Sequence, residues 1–477
     1  MSLLAIVLVP FVLAGVTYAF PWERLRPWLL VVAAGGHLAL VLVALPSDGL
    51  TAVSGWLALD PAAKIVILAI SVLFFFCSLY APPYLRLRRN RPNRVFCTCL
   101  LLLLSMMSLA VLSHHLGLMW VAIEATTLAS APLLYFNRTP LSIEATWKYL
   151  LICSVGIAIA LLGSFFLAYA GLRGGLQSTL VLEDLVSSAG SLSRPWLHAG
   201  FVTLLVGYGT KMGLAPMHTW KPDAYGEAPG IVGALLAGGV TSCAFLAILR
   251  FTIITRAAGD EAFASRILVA MGVISMAFAG VFMVRQKDFK RMLAYSSVEH
   301  MGILIFGLGI GGLGVFGALL HLINNALTKG VLFLSSGNIH RAYGSKSTDD
   351  VSGALTRLPV SAGLFLAGFF AITGSPPFGP FISEFTILGA AFSAERFVPA
   401  GLLLLLLLTV FIGMGSTVLG MLQGAPPARP ATEYRDSPSM VLPIFGLLGL
   451  VLLLGVYIPP PLDGLLRDAM AYVEGGR

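Results

Sequence analysis

The sequence predicts an all-α, polytopic membrane protein of about fourteen transmembrane helices, and three observations predict it. Apolar runs of the ~20 residues that cross a bilayer recur along the whole chain. Only 11% of residues are charged and 57% are hydrophobic, with a mean hydropathy of +0.90, whereas a soluble domain carries about 25% charged residues. Lys and Arg concentrate in short links between the apolar runs, where they act as orientation signals.

The first run, 1–20, lacks a basic leader region and reads as a spanning helix, not a cleaved signal. Further helices are expected at 28–46, 61–80, 95–113, 116–136, 147–172, 197–217, 229–254, 264–284, 296–311, 313–337, 358–390, 398–422 and 439–458. Arg86, Arg88, Arg89, Arg91 and Arg94 follow helix three, Arg138 and Lys148 flank the link after helix five, and Arg285, Lys287, Lys290 and Arg291 follow helix nine. All three groups follow odd-numbered helices, which makes that side cytoplasmic. Both termini are then periplasmic or external, in a multi-pass protein of the cell's inner (plasma) membrane. The longest external link, 171–195, is polar enough to hold a short surface helix around 180–186.

The net charge of +8 does not point to nucleic acid, because the basic residues sit in links facing lipid head groups and water. The five cysteines lie in or beside apolar runs with no C-x-x-C spacing, so neither a metal site nor a cofactor is expected. Gly307-Leu308-Gly309-Ile310-Gly311-Gly312 spells a dinucleotide fingerprint but lacks a βαβ context. His114 and His115 are adjacent, so on a helix they point apart; an interfacial role fits them better than ligation.

Two helices are expected to be broken. Helix seven carries Lys211-Met212-Gly213-Leu214-Ala215-Pro216 near its end, and helix twelve carries Ser375-Pro376-Pro377 in its middle. Proline removes an amide donor and clashes with the preceding turn. Within a membrane the freed carbonyls need protein or water beside them, and paired interrupted segments mark repeat-built transporters.

Ionisable residues persist inside the apolar runs, where each costs at least ~2.5–3.5 kcal/mol and often marks an ion path. Glu124 sits mid-helix, Lys211 ends a long apolar run, and Glu384 follows the second break. His321, Asn325 and Lys329 recur every four residues and share one helical face. Glu299 and His300 are expected to open helix ten, and Lys148 to open helix six. A buried lysine beside a carboxylate is a switchable proton site. A direct Glu124–Lys211 pair is therefore expected either to carry protons or, alternatively, to fix helix packing as a static ion pair.

The run Gly209-Thr210-Lys211-Met212-Gly213-Leu214-Ala215-Pro216-Met217-His218-Thr219-Trp220-Lys221-Pro222-Asp223-Ala224 resembles the signature of the antiporter-like subunits of respiratory complex I, kin to multi-subunit cation/proton antiporters. Arg291-Met292-Leu293-Ala294-Tyr295-Ser296-Ser297-Val298-Glu299-His300-Met301-Gly302 and the 325–337 stretch match as well. Trp120 to Thr127, Glu144 to Gly156, and Phe381 to Phe385 make it most similar to the hydrogenase-4 component F type, found in group 4 [NiFe] hydrogenase and formate hydrogenlyase-like complexes.

The resemblance implies two inverted five-helix repeats. Residues 1–94 would hold helices 1–3, 95–254 the first repeat, 264–422 the second, and 439–477 the last helix and tail. It also implies a proton path, entering near Lys148 and Lys211, crossing through Lys329 and leaving by Glu384, with Glu124, Glu299, His300 and His321 as its other groups. Partners implied are further membrane subunits and a peripheral redox arm, hydrogenase-like or quinone-reductase-like. Redox chemistry would occur there, because this chain carries no ligand pattern for it. Two departures stand out: Ser242 replaces a helix-eight lysine, and Asn325 replaces a helix-eleven histidine. The alternatives are a Na⁺/H⁺ antiporter subunit without redox partners, or a structural anchor whose channel has decayed.

Overall fold

The computed structural model describes residues 3–88, 91–177, 179–427 and 432–475; Arg89 of the basic links lies outside them. Among the described residues, eleven helices are long and apolar enough to cross a membrane: Arg26–Ala44, Pro61–Arg86, Arg94–Leu112, Leu116–Asn137, Pro140–Arg173, Gly230–Ala257, Glu261–Met283, Phe289–Ile310, Leu313–Tyr343, Phe397–Leu422 and Pro438–Val456. Leu3–Ala19 and two broken helices complete the fourteen crossings, numbered below in chain order. The broken ones are helix seven, Arg194–Met212 followed by Trp220–Glu227, and helix twelve, Pro359–Ile372 followed by Gly379–Ser393.

Local chemistry sets the starts of these helices. Thr139 and Ser142 exchange side-chain and backbone hydrogen bonds in a capping box, and Pro140 occupies the first helical position. Helix six therefore begins at Pro140, about two turns before the expected 147, and Lys148 lies inside it. Asp288 Oδ1 accepts from the backbone N–H of Lys290 (2.9 Å) and Arg291 (3.1 Å). Helix ten thus starts at Phe289, with Glu299 and His300 in its middle and not at its opening. In both cases a polar first turn extends past the apolar run that the sequence pattern detects.

Helices eight and eleven form the centre, and their apolar windows are wholly enclosed by protein. Glycines allow the approach: a Cβ on Gly238 would lie 2.6 Å from Leu73 Cδ2 and 2.9 Å from Ala326 Cα, the close contact that small residues permit between membrane helices. Helix eight also carries a π turn at Leu236–Val240, a feature frequent at functional sites. Outer helices such as thirteen expose apolar side chains, Val398 and Leu405 among them, as a lipid-facing surface would.

The links gather at two opposite ends. At one, Arg91 donates to the Asn137 carbonyl, Asn137 donates to the Glu227 carbonyl, and Lys346 pairs with Glu227. At the other, Leu57 bridges Ser113, His115 bridges Val181, and Arg256 pairs with Glu474. A surface helix does occur in the 171–195 link, at Leu182–Ser187. Beyond helix fourteen, where only a tail was expected, Pro460–Val473 is a helix that buries Leu466, Ala469 and Val473.

Candidate functional site: two buried polar relays

The first relay starts at the break of helix seven. Lys211 lies in the last turn before the break, where the carbonyl end of the helix dipole favours a cation. Gly213 terminates that half in the left-handed region, φ 79°. Lys211 is fully buried, and its Nζ donates to Thr127 Oγ1 (2.7 Å) and Tyr149 OH (2.8 Å). Thr127 in turn donates to Glu124 Oε2 (3.1 Å), and Ser154 donates to Glu124 Oε1 (2.7 Å). The expected direct Glu124–Lys211 ion pair is thus replaced by a hydroxyl bridge. One turn of helix five separates Glu124 from Thr127, and the threonine side chain fills the space between carboxylate and ammonium.

Lys148 is placed differently. It is half exposed and bonds Glu144 (2.6 Å) and Asp223 (2.9 Å), and Asp223 also pairs with Arg291. These groups line an open cavity of ≈ 500 Å³ at the Lys/Arg-rich end of the bundle. Lys148 is therefore a surface group above the relay, not a member of the buried chain.

The second relay runs along helices ten, eleven and twelve. Lys329 Nζ donates to Ser296 Oγ (2.8 Å). His300 Nδ1 meets His321 Nε2 at 2.9 Å, and His321 Nδ1 meets Ser383 Oγ at 2.9 Å. Glu299 Oε2 lies 3.8 Å from His300 Nε2. Glu384 is buried against the break of helix twelve, where a Cβ on Gly374 would lie 2.1 Å from its Oε2. Pro216, Pro376 and Pro377 all lie in the two breaks, as expected. Asn325 faces the same interior, and among the described residues neither of its amide atoms has a partner.

Sequence reasoning missed Lys221. It opens the second half of helix seven, is fully buried, and donates to Ser297 Oγ (3.1 Å). Ser297 neighbours Ser296, the partner of Lys329, so Lys221 stands between the two relays. Its signal is the same as that of Lys211, a lysine beside a helix break, but it falls between the expected helices 197–217 and 229–254. Ser242 does not fill this role: its hydroxyl donates to the Gly238 carbonyl of its own π turn (2.7 Å). Also unforeseen is an end cluster in which Asp60 accepts from Arg250 (2.7 Å), and His114 bonds Asp60 (2.8 Å) and Glu183 (2.7 Å). His114 is thus buried within a charged network, where only an interfacial position was expected.

Comparison with known proteins places these relays in context. The family described as NADH:quinone oxidoreductase/Mrp antiporter, transmembrane, matches residues 113–413. A hydrogenase-4 component F homolog of Methylacidiphilum infernorum is 39% identical over 358 residues, 74% of each chain. NADH-quinone oxidoreductase subunit N of Desulforudis audaxviator is 29% identical, over 88% of this chain and 87% of its own. In three dimensions, a chain of the Mrp complex from Dietzia sp. DQ12-45-1b superposes with a TM-score of 0.88 at 21% identity, covering 99% of this chain and 97% of that one.

Proposed function

Since this chain belongs to the NADH:quinone oxidoreductase/Mrp antiporter family of membrane subunits, we propose that it moves protons across the membrane as one subunit of a redox-driven complex. The observation that carries this reading is the continuous Lys211–Thr127–Glu124 hydrogen-bond chain within an apolar bundle. Each link joins a donor to an acceptor, the arrangement a proton needs in order to pass without crossing hydrocarbon. A static packing pair would not need the intervening hydroxyl.

In this scheme protons arrive through the ≈ 500 Å³ cavity beneath Lys148 and Asp223, pass Lys211 and Lys221, reach Lys329, and leave through the His300–His321 pair and Glu384. Lys221 takes the central place that a helix-eight lysine would hold, which answers the departure at Ser242. The half-channels correspond to residues 95–254 and 264–422, flanked by 1–94 and 439–477. The Lys/Arg-rich end faces the cytoplasm and both termini face the periplasm or exterior. Moving one charge against 100 mV costs ~2.3 kcal/mol, comparable to remaking one buried charged hydrogen bond.

Redox partners would be hydrogenase-like or quinone-reductase-like, in line with the named relatives. The likeness to an Mrp chain favours the second reading, a cation/proton antiporter subunit. Gentle detergent extraction of the tagged chain, followed by mass spectrometry, separates the two. Metal-cluster subunits are expected to co-purify; recovery with small membrane subunits alone would shift the assignment to antiport. In proteoliposomes of that complex, Lys211→Ala is expected to abolish turnover-linked acidification while assembly persists, and unchanged proton stoichiometry would overturn the proposal.

A further inference from the structure

His300, His321 and Glu384 come from helices ten, eleven and twelve, and no pattern in the chain announces them as a set. One donor atom from each lies within 4.8 Å of the other two. All three residues are buried. Two of their polar atoms, His300 Nε2 and Glu384 Oε1, have no hydrogen-bond partner among the described residues, and neither has Glu299 Oε2 beside them. Glu384 Oε1 is a free acceptor for an ion held between His300 Nδ1 and His321 Nε2, while His300 Nε2, on the other side of its ring, faces Glu299 Oε2.

We propose that these three side chains form a binding site for a divalent transition-metal ion of the zinc type. The donor set is two imidazoles and one carboxylate, which suits zinc and its neighbours. Ligands of a tetrahedral zinc at ~2.0–2.1 Å stand about 3.3 Å apart; the facing His300 and His321 nitrogens are already 2.9 Å apart.

The supporting contacts are also present. Ser383 holds His321 Nδ1 at 2.9 Å, which fixes the ring with Nε2 turned toward the site, as ligating histidines require. Glu384 rests against Gly374, a position where any side chain would displace the carboxylate. Glu384 and the neighbouring Glu299 oppose the ion's charge, while Lys329, two turns along helix eleven from His321, and Lys221 are cations near the cluster. The ion would enter by the break of helix twelve, where Pro376 and Pro377 are exposed. The ion would displace the proton that His300 and His321 share. Its effect on transport, but not its binding, therefore rests on the proton-path reading above.

The test is zinc titration of the purified full chain, read by competition with a chromophoric chelator and by X-ray absorption. One saturable site with nitrogen and oxygen ligands is expected. Affinity should fall by about 10–100-fold in Ser383→Ala and at least as far in His321→Ala, with His114→Ala unchanged as a control. A zinc–sulfur distance near ~2.3 Å would assign the metal to cysteine and overturn the proposal. So would undiminished binding in His321→Ala, or no saturable binding in the native chain. None of these readouts requires a proton gradient, so failure here is distinct from failure of the transport reading.

Discussion

Glu124 and Lys211 meet through Thr127, whose hydroxyl accepts from the lysine at 2.7 Å and donates to the carboxylate at 3.1 Å. On the proposed path, a proton would move between Lys211 and Glu124 only by way of a side chain that both donates and accepts. Thr127→Val keeps the shape and removes the hydroxyl. It is expected to lower proton flux in proteoliposomes at least about tenfold, while thermal stability falls by roughly 1–3 kcal/mol as the buried Lys211 and the partly buried Glu124 each lose a partner. Unchanged flux would make the bridge a packing contact.

Lys221 offers a sharper test of continuity. If it links the two relays, Lys221→Met should uncouple proton movement from turnover as fully as Lys211→Ala does. If Ser242 or water carries the link, Lys221→Met should be nearly silent in the same acidification assay. The methionine keeps most of the buried stem volume, so a folding defect is expected to be small.

Gly374 sits at φ 66° with its missing Cβ only 2.1 Å from Glu384 Oε2. Gly374→Ala adds backbone strain of order 1–3 kcal/mol and pushes the carboxylate from its seat. Proton release is expected to slow while the relay at Lys211 stays intact. Infrared difference spectra of the carboxyl groups would separate that outcome from general unfolding.

The end cluster makes stability depend on pH. Burial disfavours the His114 cation, yet its hydrogen bonds to Asp60 and Glu183 outweigh this and raise its pKa above the ordinary value. Arg250, also facing His114, opposes the rise. A raised pKa means that this stabilisation is complete below about pH 6.5 and is lost as pH rises through the higher folded value. Burial likewise works against the Glu183 carboxylate, but the bond to His114 prevails and lowers its pKa, so its share is lost as pH falls through that lowered value. Thermal unfolding midpoints in detergent should be highest in mildly acidic to neutral buffer. His114→Gln should flatten the alkaline limb; an unchanged limb would exclude His114 as its source.

The broken helices were legible because prolines punctuate apolar runs, and Glu124, Lys211, Lys329 and Glu384 because charge is rare there. The starts of helices six and ten were not, since Glu144, Lys148, Lys290 and Arg291 decorate helical turns that project past the apolar run and look like links. Lys221 was hidden for a related reason: the short helix that holds it inside the bundle, Trp220–Glu227, is polar in composition, so hydropathy reads it as a link. The helix Pro460–Val473 could have been found, because Leu466, Ala469 and Val473 follow helical spacing. The meeting of His300, His321 and Glu384 depends on three helices packing together, which spacing along one chain does not encode.

Both relays are built from hydroxyls: Thr127 and Ser154 around Glu124, Ser296 and Ser297 beside the two lysines, Ser383 beside His321. A hydroxyl has one hydrogen and rotates to suit its neighbours. When a proton passes through such a hydroxyl, the group finishes pointing the opposite way, and it conducts again only after it has swung back. On the proposed proton path, these hydroxyls would carry a memory of the last passage, and the interval between protons would be set by resetting as well as by transfer.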